Sequence, residues 1–504
     1  MRAPGAVSAA LLVLAFAGPA EARRNAGALK PLLELIETVE ANYAGDPVIR
    51  EDEVVKQALA GMVADLDRYS EFLDQQKYKD LQEDTRGSFG GVGIEIGIVN
   101  GKLSVIAPIE GTPADRAGLL GGDVIAFIDG VPTDDMKIMD AVHRIKGPPG
   151  TKVVLAIQRE GEPMRDVPLV RALITPVNIR DAVLEDAGVG YVGIRTFSEH
   201  TAENLYDALR RFQDAHLKGF ILDLRSNPGG LLQEATRVSD LFLPGGAAIV
   251  STEGRDPSQR AKYYASEKRD IPQLPLIVLV NEYSASGSEI VAGALKDHRR
   301  GIIMGRRTFG KASVQSITPI TPDRSQAVRL TVARYYTPSH NEIHEVGIEP
   351  DVTLPPSRYP PGMRRLFDEG AFNRFAGEVL LPAGAGQSGT GWLDPAALKD
   401  GRLAPPGKGS PPDKLDGRLG AEFRRWADRQ GWHETDEAWA ELESPVVDQV
   451  RIGVMRRVKG EEAARRYAVE FDPQVRTAAA LLKLVAPAPA ASRARTPATP
   501  PVSK

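Results

Sequence analysis

LPLIVLVNEYSASGSEIVAGALKDH, residues 274–298, sets a strand, a turn and a helix in one unbroken run. Leu276 to Val280 is wholly apolar and reads as a strand. Asn281 to Gly287 is a turn of small and polar residues. Ser288 stands where a helix N-cap is expected, ahead of EIVAGALKDH. A serine in such a turn lies at the C-terminal edge of a sheet, where α/β domains place ligands. It also faces the positive end of a helix dipole. Ser284, Ser286 and Ser288 are all candidates, with Ser288 best explained as the cap.

The pattern extends outward from there. Between about Ile174 and Leu354, strands (GYVGIRTF, GFILDL, LPLIVLV, GIIMG, AVRLTVARYYT) alternate with helices (AENLYDALRRFQDA, GLLQEATRVSDLF, SEIVAGALKDH). That alternation predicts an α/β domain with helices over a largely parallel sheet. Upstream, from Gly87 to about Leu169, the apolar period is two and the turns are Gly-rich, with one helix at Met136 to Ile145; this is a small β-rich module. Residues 26–84 carry helical spacing. A Gly/Pro-rich stretch at about 383–413 precedes a helical region at about 414–485, and the Pro/Ala-rich end should be disordered.

The chain has 504 residues, enough for three or four domains at roughly 100–200 residues each. A net charge of −4, with no basic block, gives no support for a nucleic-acid partner. The absence of cysteine excludes disulfides, a thiolate nucleophile and Cys-based zinc sites. At the N-terminus, Arg2 precedes AVSAALLVLAFA and an Ala20-Glu21-Ala22 cleavage pattern. This reads as a secretory signal peptide, so a periplasmic location is expected, with an uncleaved N-terminal anchor and membrane association as the alternative.

Two more loops carry chemistry. GFILDL runs into Arg225-Ser226-Asn227-Pro228-Gly229-Gly230 and then a helix. Paired glycines let backbone N–H groups approach a ligand, and such donors could form an oxyanion hole with the N–H of Gly287. GRRTFGKASVQ, residues 305–315, nearly matches a phosphate loop, but Ala312 replaces the hydroxyl residue and an extended segment follows instead of a helix. Lys311 is therefore read as a general base. Burial penalises its ammonium form and would bring its pKa down from about 10.4. Gln315, four residues on, could hold the amine. No histidine lies in a G-x-S-x-G or H-E-x-x-H context, so no His triad, metal or cofactor is expected.

These residues together resemble the carboxyl-terminal processing peptidases (tail-specific proteases) of the S41 serine peptidase group. The resemblance covers about residues 30–355. S-A-S-G-S-E-I at 284–290 is similar to the family's S-A-S-A-S-E-I, which implies Ser286 as nucleophile, Lys311 as base 25 residues later and Gln315 in support. D-L-R-S-N-P-G-G at 223–230 resembles the oxyanion loop, implying Gly229 with Gly287 as donors. L-D-R-Y-S-E-F-L at 66–73 and G-I-E-P-D at 347–351 resemble further family motifs, with Arg68 and Tyr69 departing from the usual Pro and His. G-L-L-G-G-D-V-I-A-F-I-D-G at 118–130 resembles the family's PDZ signature, and Gly91-Val92-Gly93-Ile94 its carboxylate-binding loop.

The implied fold is a ClpP/crotonase-like α/β peptidase core with an inserted β-rich PDZ domain, an N-terminal helical segment and a C-terminal helical extension. The expected domains are a signal peptide (1–22), N-terminal helices (26–86), the PDZ (87–170), the peptidase core (171–356), a helix and Gly/Pro-rich linker (357–413), C-terminal helices (414–485) and a tail (486–504). The implied activity is cleavage near exposed, apolar protein C-termini captured by the PDZ, with Arg159 a candidate for coupling PDZ movement to the site. Substrate proteins are the expected partners, and an adaptor and self-association stay open. Two rivals are a catalytically silent PDZ scaffold and a crotonase-like acyl transferase. The Ser–Lys–Gln set argues against the first, the signal peptide and PDZ against the second.

Overall fold

A computed structural model describes residues 26–485 except 46–49, 100, 160, 177, 185–186, 213–216, 267–272, 356–360, 369, 381–397, 400–401 and 404–411. The expected signal peptide, most of the Gly/Pro-rich linker and the expected disordered tail lie outside the described residues. The chain divides into two compact units, one of residues 1–79 and 315–331, the other of 80–314 and 332–504.

In the first unit, helices α1 (Ala26–Asn42) and α2 (Glu51–Ala64) lead to strand β1 (Glu71–Leu73), which pairs antiparallel with residues 327–329. The 66–73 motif has a structural use here. Asp67 accepts the N–H groups of Tyr69 and Ser70, the Ser70 hydroxyl and the Thr331 hydroxyl. Burial alone would raise the Asp67 pKa, but these bonds hold it below the ordinary aspartate value.

The second unit begins with the β-rich module. Strands β2 (Ile94–Val99), β3 (Lys102–Pro108) and β4 (Val124–Ile128), helix α3 (Ile138–Ile145), and strands β5 (Lys152–Gln158) and β6 (Arg165–Val170) form one antiparallel sheet in the order β2-β3-β4-β5-β6. Its core is aliphatic, with Leu103, Ile125, Ile128, Leu155 and Ile157 fully buried.

The α/β region follows: β7 (Ile179–Leu184), β8 (Val189–Ile194), α4 (Thr201–Arg211), β9 (Gly219–Asp223), α5 (Leu232–Asp240), β10 (Leu276–Val280), α6 (Gly287–Asp297), β11 (Ile302–Gly305), β12 (Ala327–Tyr336) and β13 (Val352–Thr353). The sheet order is β7-β8-β9-β10-β11-β13. Only the β7–β8 pair is antiparallel; every later pair is parallel. Residues 333–336 of β12 pair with 251–254 in a separate sheet.

Period-two alternation explains the apolar run of β10. Leu276, Val278 and Val280 face α4, α5 and α6 in the largest core, beside Leu205, Val238 and Val291. Ile277 and Leu279 face the other way, with Ile221 and Met304. What covers that second face is the C-terminal helical region. After α7 (Pro412–Arg429), α8 (Asp436–Lys459) and α9 (Glu461–Phe471), helix α10 (Pro473–Val485) lays Val475, Ala478, Ala479 and Leu482 on the sheet. Helices α7 to α9 share a separate aromatic core with the earlier helix Ala371–Phe375, including Phe375, Phe423, Trp426 and Trp439.

Candidate active site

Strands β9, β10 and β11 are parallel neighbours, so the loops leaving their C-terminal ends emerge at one sheet edge. Those loops carry Gly229, Ser286 and Lys311. The crossing from β11 into its loop needs glycine at 305: at φ +131° a Cβ there would stand 1.9 Å from the Val280 carbonyl oxygen.

The serines of the β10 loop divide their work. The hydroxyl of the buried Ser284 donates to the Leu224 carbonyl at 2.8 Å, and that of the buried Ser288 to the Asn227 carbonyl at 2.9 Å. Both hold the β9 loop against the β10 loop. Ser288 is thus not the cap expected from sequence. The N-cap of α6 is Ser286, because the β9 loop draws Ser288 inside the first turn. Ser286 is half-buried and sits at φ 52°, ψ −110°. That backbone conformation costs a β-carbon residue about 1–3 kcal/mol and persists only where surrounding contacts over-determine it.

Those contacts are specific. Glu289, fully buried on the first turn of α6, accepts the Ser286 N–H (2.9 Å) and the Lys311 N–H (2.8 Å) on Oε2. Its Oε1 accepts the Thr308 hydroxyl (2.6 Å) and the Gly310 N–H (2.7 Å). Four donors fill the lone pairs of a carboxylate, so this arrangement calls for the anion. Burial nonetheless pushes the Glu289 pKa above the ordinary glutamate value, against the hydrogen bonds that pull it down. On the carbonyl side, the Tyr335 hydroxyl reaches the Ser286 carbonyl at 3.0 Å and makes a short bond to the Lys311 carbonyl. Neither Glu289 nor Tyr335 was singled out by sequence reasoning. The signal available for Glu289 was an acidic residue three places after an N-cap; Tyr335 gave none.

Gly229 packs against the turn that carries Ser286, where a Cβ would come within 2.6 Å of the Ser286 Cβ. Its N–H, expected to be free for an oxyanion, instead donates to Asn227 Oδ1 at 2.8 Å. An Asn two residues before a glycine folds back in this way as an Asx-turn, a local competitor the expectation left out. Gly287 is the first residue of α6 and its N–H has no acceptor within the helix. The expected burial of Lys311 is also only partial: its side chain is half-buried. Gln315 lies in the other compact unit, where its amide donates to the Thr331 hydroxyl at 3.4 Å.

The loop leading out of β9 is anchored from beneath. Asp223 receives the Arg225 guanidinium at 2.6 Å and the Tyr191 hydroxyl at 2.9 Å, and Arg225 also donates to Gln474 at 2.8 Å. Burial would lower the Arg225 pKa, but the Asp223 and Asp472 carboxylates hold it above the ordinary value.

In the β-rich module, Gly91 ends a short strand paired with residues 172–174, Val92 is buried, Gly93 is left-handed at φ 79° and Ile94 opens β2. Arg159 donates to Asp123 at 2.7 and 2.8 Å and to the Gly118 carbonyl at 2.9 Å, contacts internal to the module.

The model of peptidase family S41 matches residues 188–354, and that of the PDZ domain residues 104–159. A carboxy-terminal-processing protease of Bartonella bacilliformis is 41% identical over 327 residues, covering 64% of this chain and 74% of that protein. A carboxyl-terminal-processing protease of Synechocystis sp. is 38% identical over 311 residues, covering 60% and 71%. Among solved structures, a photosystem II D1 C-terminal processing protease is similar at 31% identity over 65% of this chain and 88% of that one, with a TM-score of 0.40. The class is therefore a serine-type peptidase with a PDZ domain. The chain belongs to the carboxy-terminal-processing proteases of peptidase family S41.

Proposed function

We propose that the protein is an endopeptidase in which Ser286 is the nucleophile and Lys311 the general base. The observation that carries this reading is the shared anchoring of the two residues. They come from separate loops, yet one carboxylate oxygen and one phenol hold both main chains. Ser286 Oγ attacks the scissile carbonyl while the Lys311 amine takes its proton. The amine returns that proton to the leaving nitrogen, then activates water to hydrolyse the acyl-enzyme. The Gly287 N–H stabilises the oxyanion, and Gly229 joins it on exchanging Asn227 Oδ1 for the developing charge. Two effects favour a neutral amine: the positive end of α6, and desolvation that bound peptide completes on the half-buried side chain. Gln315 is given a supporting role by its four-residue spacing and the family resemblance.

Residues 91–94 would bind a substrate C-terminal carboxylate through backbone N–H groups, the peptide adding as a strand. The N-terminal segment supports export to the periplasm. Among the described residues no helix is long and apolar enough to cross a membrane.

The test is cleavage of an unfolded protein substrate, with circular dichroism as the control for folding. Ser286→Ala and Lys311→Ala should each abolish cleavage with the fold intact, and a serine-directed acylating probe should label the wild type but not Ser286→Ala. Cleavage surviving in either variant removes the mechanism.

A further inference from the structure

We infer that Tyr335 is a positioning residue for this reaction, fixing the nucleophile and base loops from their carbonyl side. The inference rests on the Ser286–Lys311 reading above. Tyr335 is 2% exposed, near the end of β12, and its own N–H donates to the Ala312 carbonyl at 2.9 Å. Main chain and side chain of one residue therefore both grip the segment that carries Lys311. The phenol has a single proton, which lies between the Lys311 and Ser286 carbonyls in a three-centre bond. The Ser286 carbonyl, 3.0 Å from the same oxygen, already accepts the N–H groups of Glu289 and Ile290 at the head of α6. The hydroxyl thus fills the space between the two carbonyls and sets their separation.

This arrangement complements that of Glu289. The carboxylate fixes the N–H side of residues 286 and 311, and the phenol fixes the C=O side. The N–H and C=O of one residue belong to the two peptide units that flank its Cα, so fixing only one of them leaves the other free to rotate. Held at both ends, Ser286 is kept at its positive φ and Lys311 in a defined orientation, the over-determination that a strained residue requires. The reaction needs the hydroxyl and amine within hydrogen-bond reach, and small misplacement is costly in rate. A Tyr that merely satisfied its own buried hydroxyl would affect stability alone.

Tyr335→Phe keeps the ring and removes only the bond. It should lower kcat and the rate of Ser286 phosphonylation by a fluorophosphonate, with loss of fluoride, by about 10-fold or more, the rate equivalent of one lost hydrogen bond. KM should stay within about 2-fold and the melting midpoint within a few degrees. Rates are normalised to the folded fraction by circular dichroism. If the Phe variant does not fold, 3-fluorotyrosine placed at 335 alone keeps the hydroxyl as a stronger donor and should change kcat; an unchanged kcat overturns the inference. Wild-type kcat in Tyr335→Phe, with Ser286→Ala and Lys311→Ala inactive, overturns the role of Tyr335 and leaves the dyad standing. Activity in Ser286→Ala or Lys311→Ala removes the dyad, and this inference with it.

Discussion

Arg225 Nη1 lies 3.0 Å from Asp472 Oδ2, an ion pair that joins the loop after β9 to the turn before α10. The two residues are 247 positions apart in sequence. Arg225 stands four residues before Gly229. The C-terminal helices are thus joined to the peptidase core through this pair, through the bonds of Gln474 to Arg225 and to the Pro355 carbonyl, and through the apolar face of α10.

Asp472→Ala tests that connection. Arg225 keeps Asp223 and Gln474, so the loss is smaller than that of a wholly orphaned charge, about 1–3 kcal/mol by urea unfolding. Asp472 also accepts the N–H groups of Gln474 and Val475, so the start of α10 should fray, seen as faster amide exchange there. Deleting residues from 473 onward should cost more, roughly 5 kcal/mol or above, because Val475 and Leu482 leave bare sheet behind. Loss of soluble protein would report it.

Glu289→Gln should reduce kcat by about 100-fold, near the 3 kcal/mol of a charged hydrogen bond. An amide must turn its NH₂ toward one of two donor pairs, Thr308 and Gly310 or Ser286 and Lys311. The pH dependence follows from the same carboxylate. Its pKa is raised above 4.5, so the folded protein binds this proton more tightly than the unfolded chain does. On linkage grounds that contribution to stability is present below 4.5 and is lost as pH rises through the folded pKa. Catalysis runs the other way, since the four donors need the anion. Below the Glu289 pKa the plot of log kcat/KM against pH should gain one unit of slope. In Glu289→Gln it should gain none.

Gly229→Ala places a methyl group 2.6 Å from the Ser286 Cβ at a φ of +101°. Both the clash and the backbone strain push the loop away from Ser286. Acylation should fall by about 100-fold or more, with a stability loss of about 1–3 kcal/mol. Stopped-flow acylation and thermal melts separate the two.

Arg159→Ala distinguishes an internal brace from a coupling residue. The variant leaves the buried Asp123 with the Leu120 N–H as its remaining partner among the bonds at its carboxylate. The β-rich module should lose about 2–3 kcal/mol, read as faster amide exchange across residues 118–128. A fall in peptidase rate with exchange unchanged would instead assign Arg159 to coupling.

Local pattern carried much of this protein. The alternation of LIVLV and GFILDL with amphipathic helices specified the parallel sheet. The NEYSASGSE turn specified a serine at a helix N-terminus, and GRRTFGKASVQ was legible as something other than a phosphate loop because an extended segment follows it. The misplacements share one cause. Ser288 looks like a cap until the Asn227 carbonyl claims its hydroxyl, and the Gly229 N–H looks available until Asn227 Oδ1 takes it. Lys311 looks buried from its neighbours' apolarity, but its exposure depends on which loops surround it.

What sequence alone determined, then, was the kind of element at each position and the residues able to do chemistry, because period, glycine placement and turn composition act over a few residues. Tertiary structure alone decided that one Glu289 oxygen serves residues 286 and 311 together, that Tyr335 closes the opposite side, and that the last helix completes the sheet's core. The bond from Lys311 to Glu289 spans 22 residues, and that from Arg225 to Gln474 spans 249. Their partners are chosen by how the packed sheet and helices bring loops together, and no short-range pattern encodes that choice.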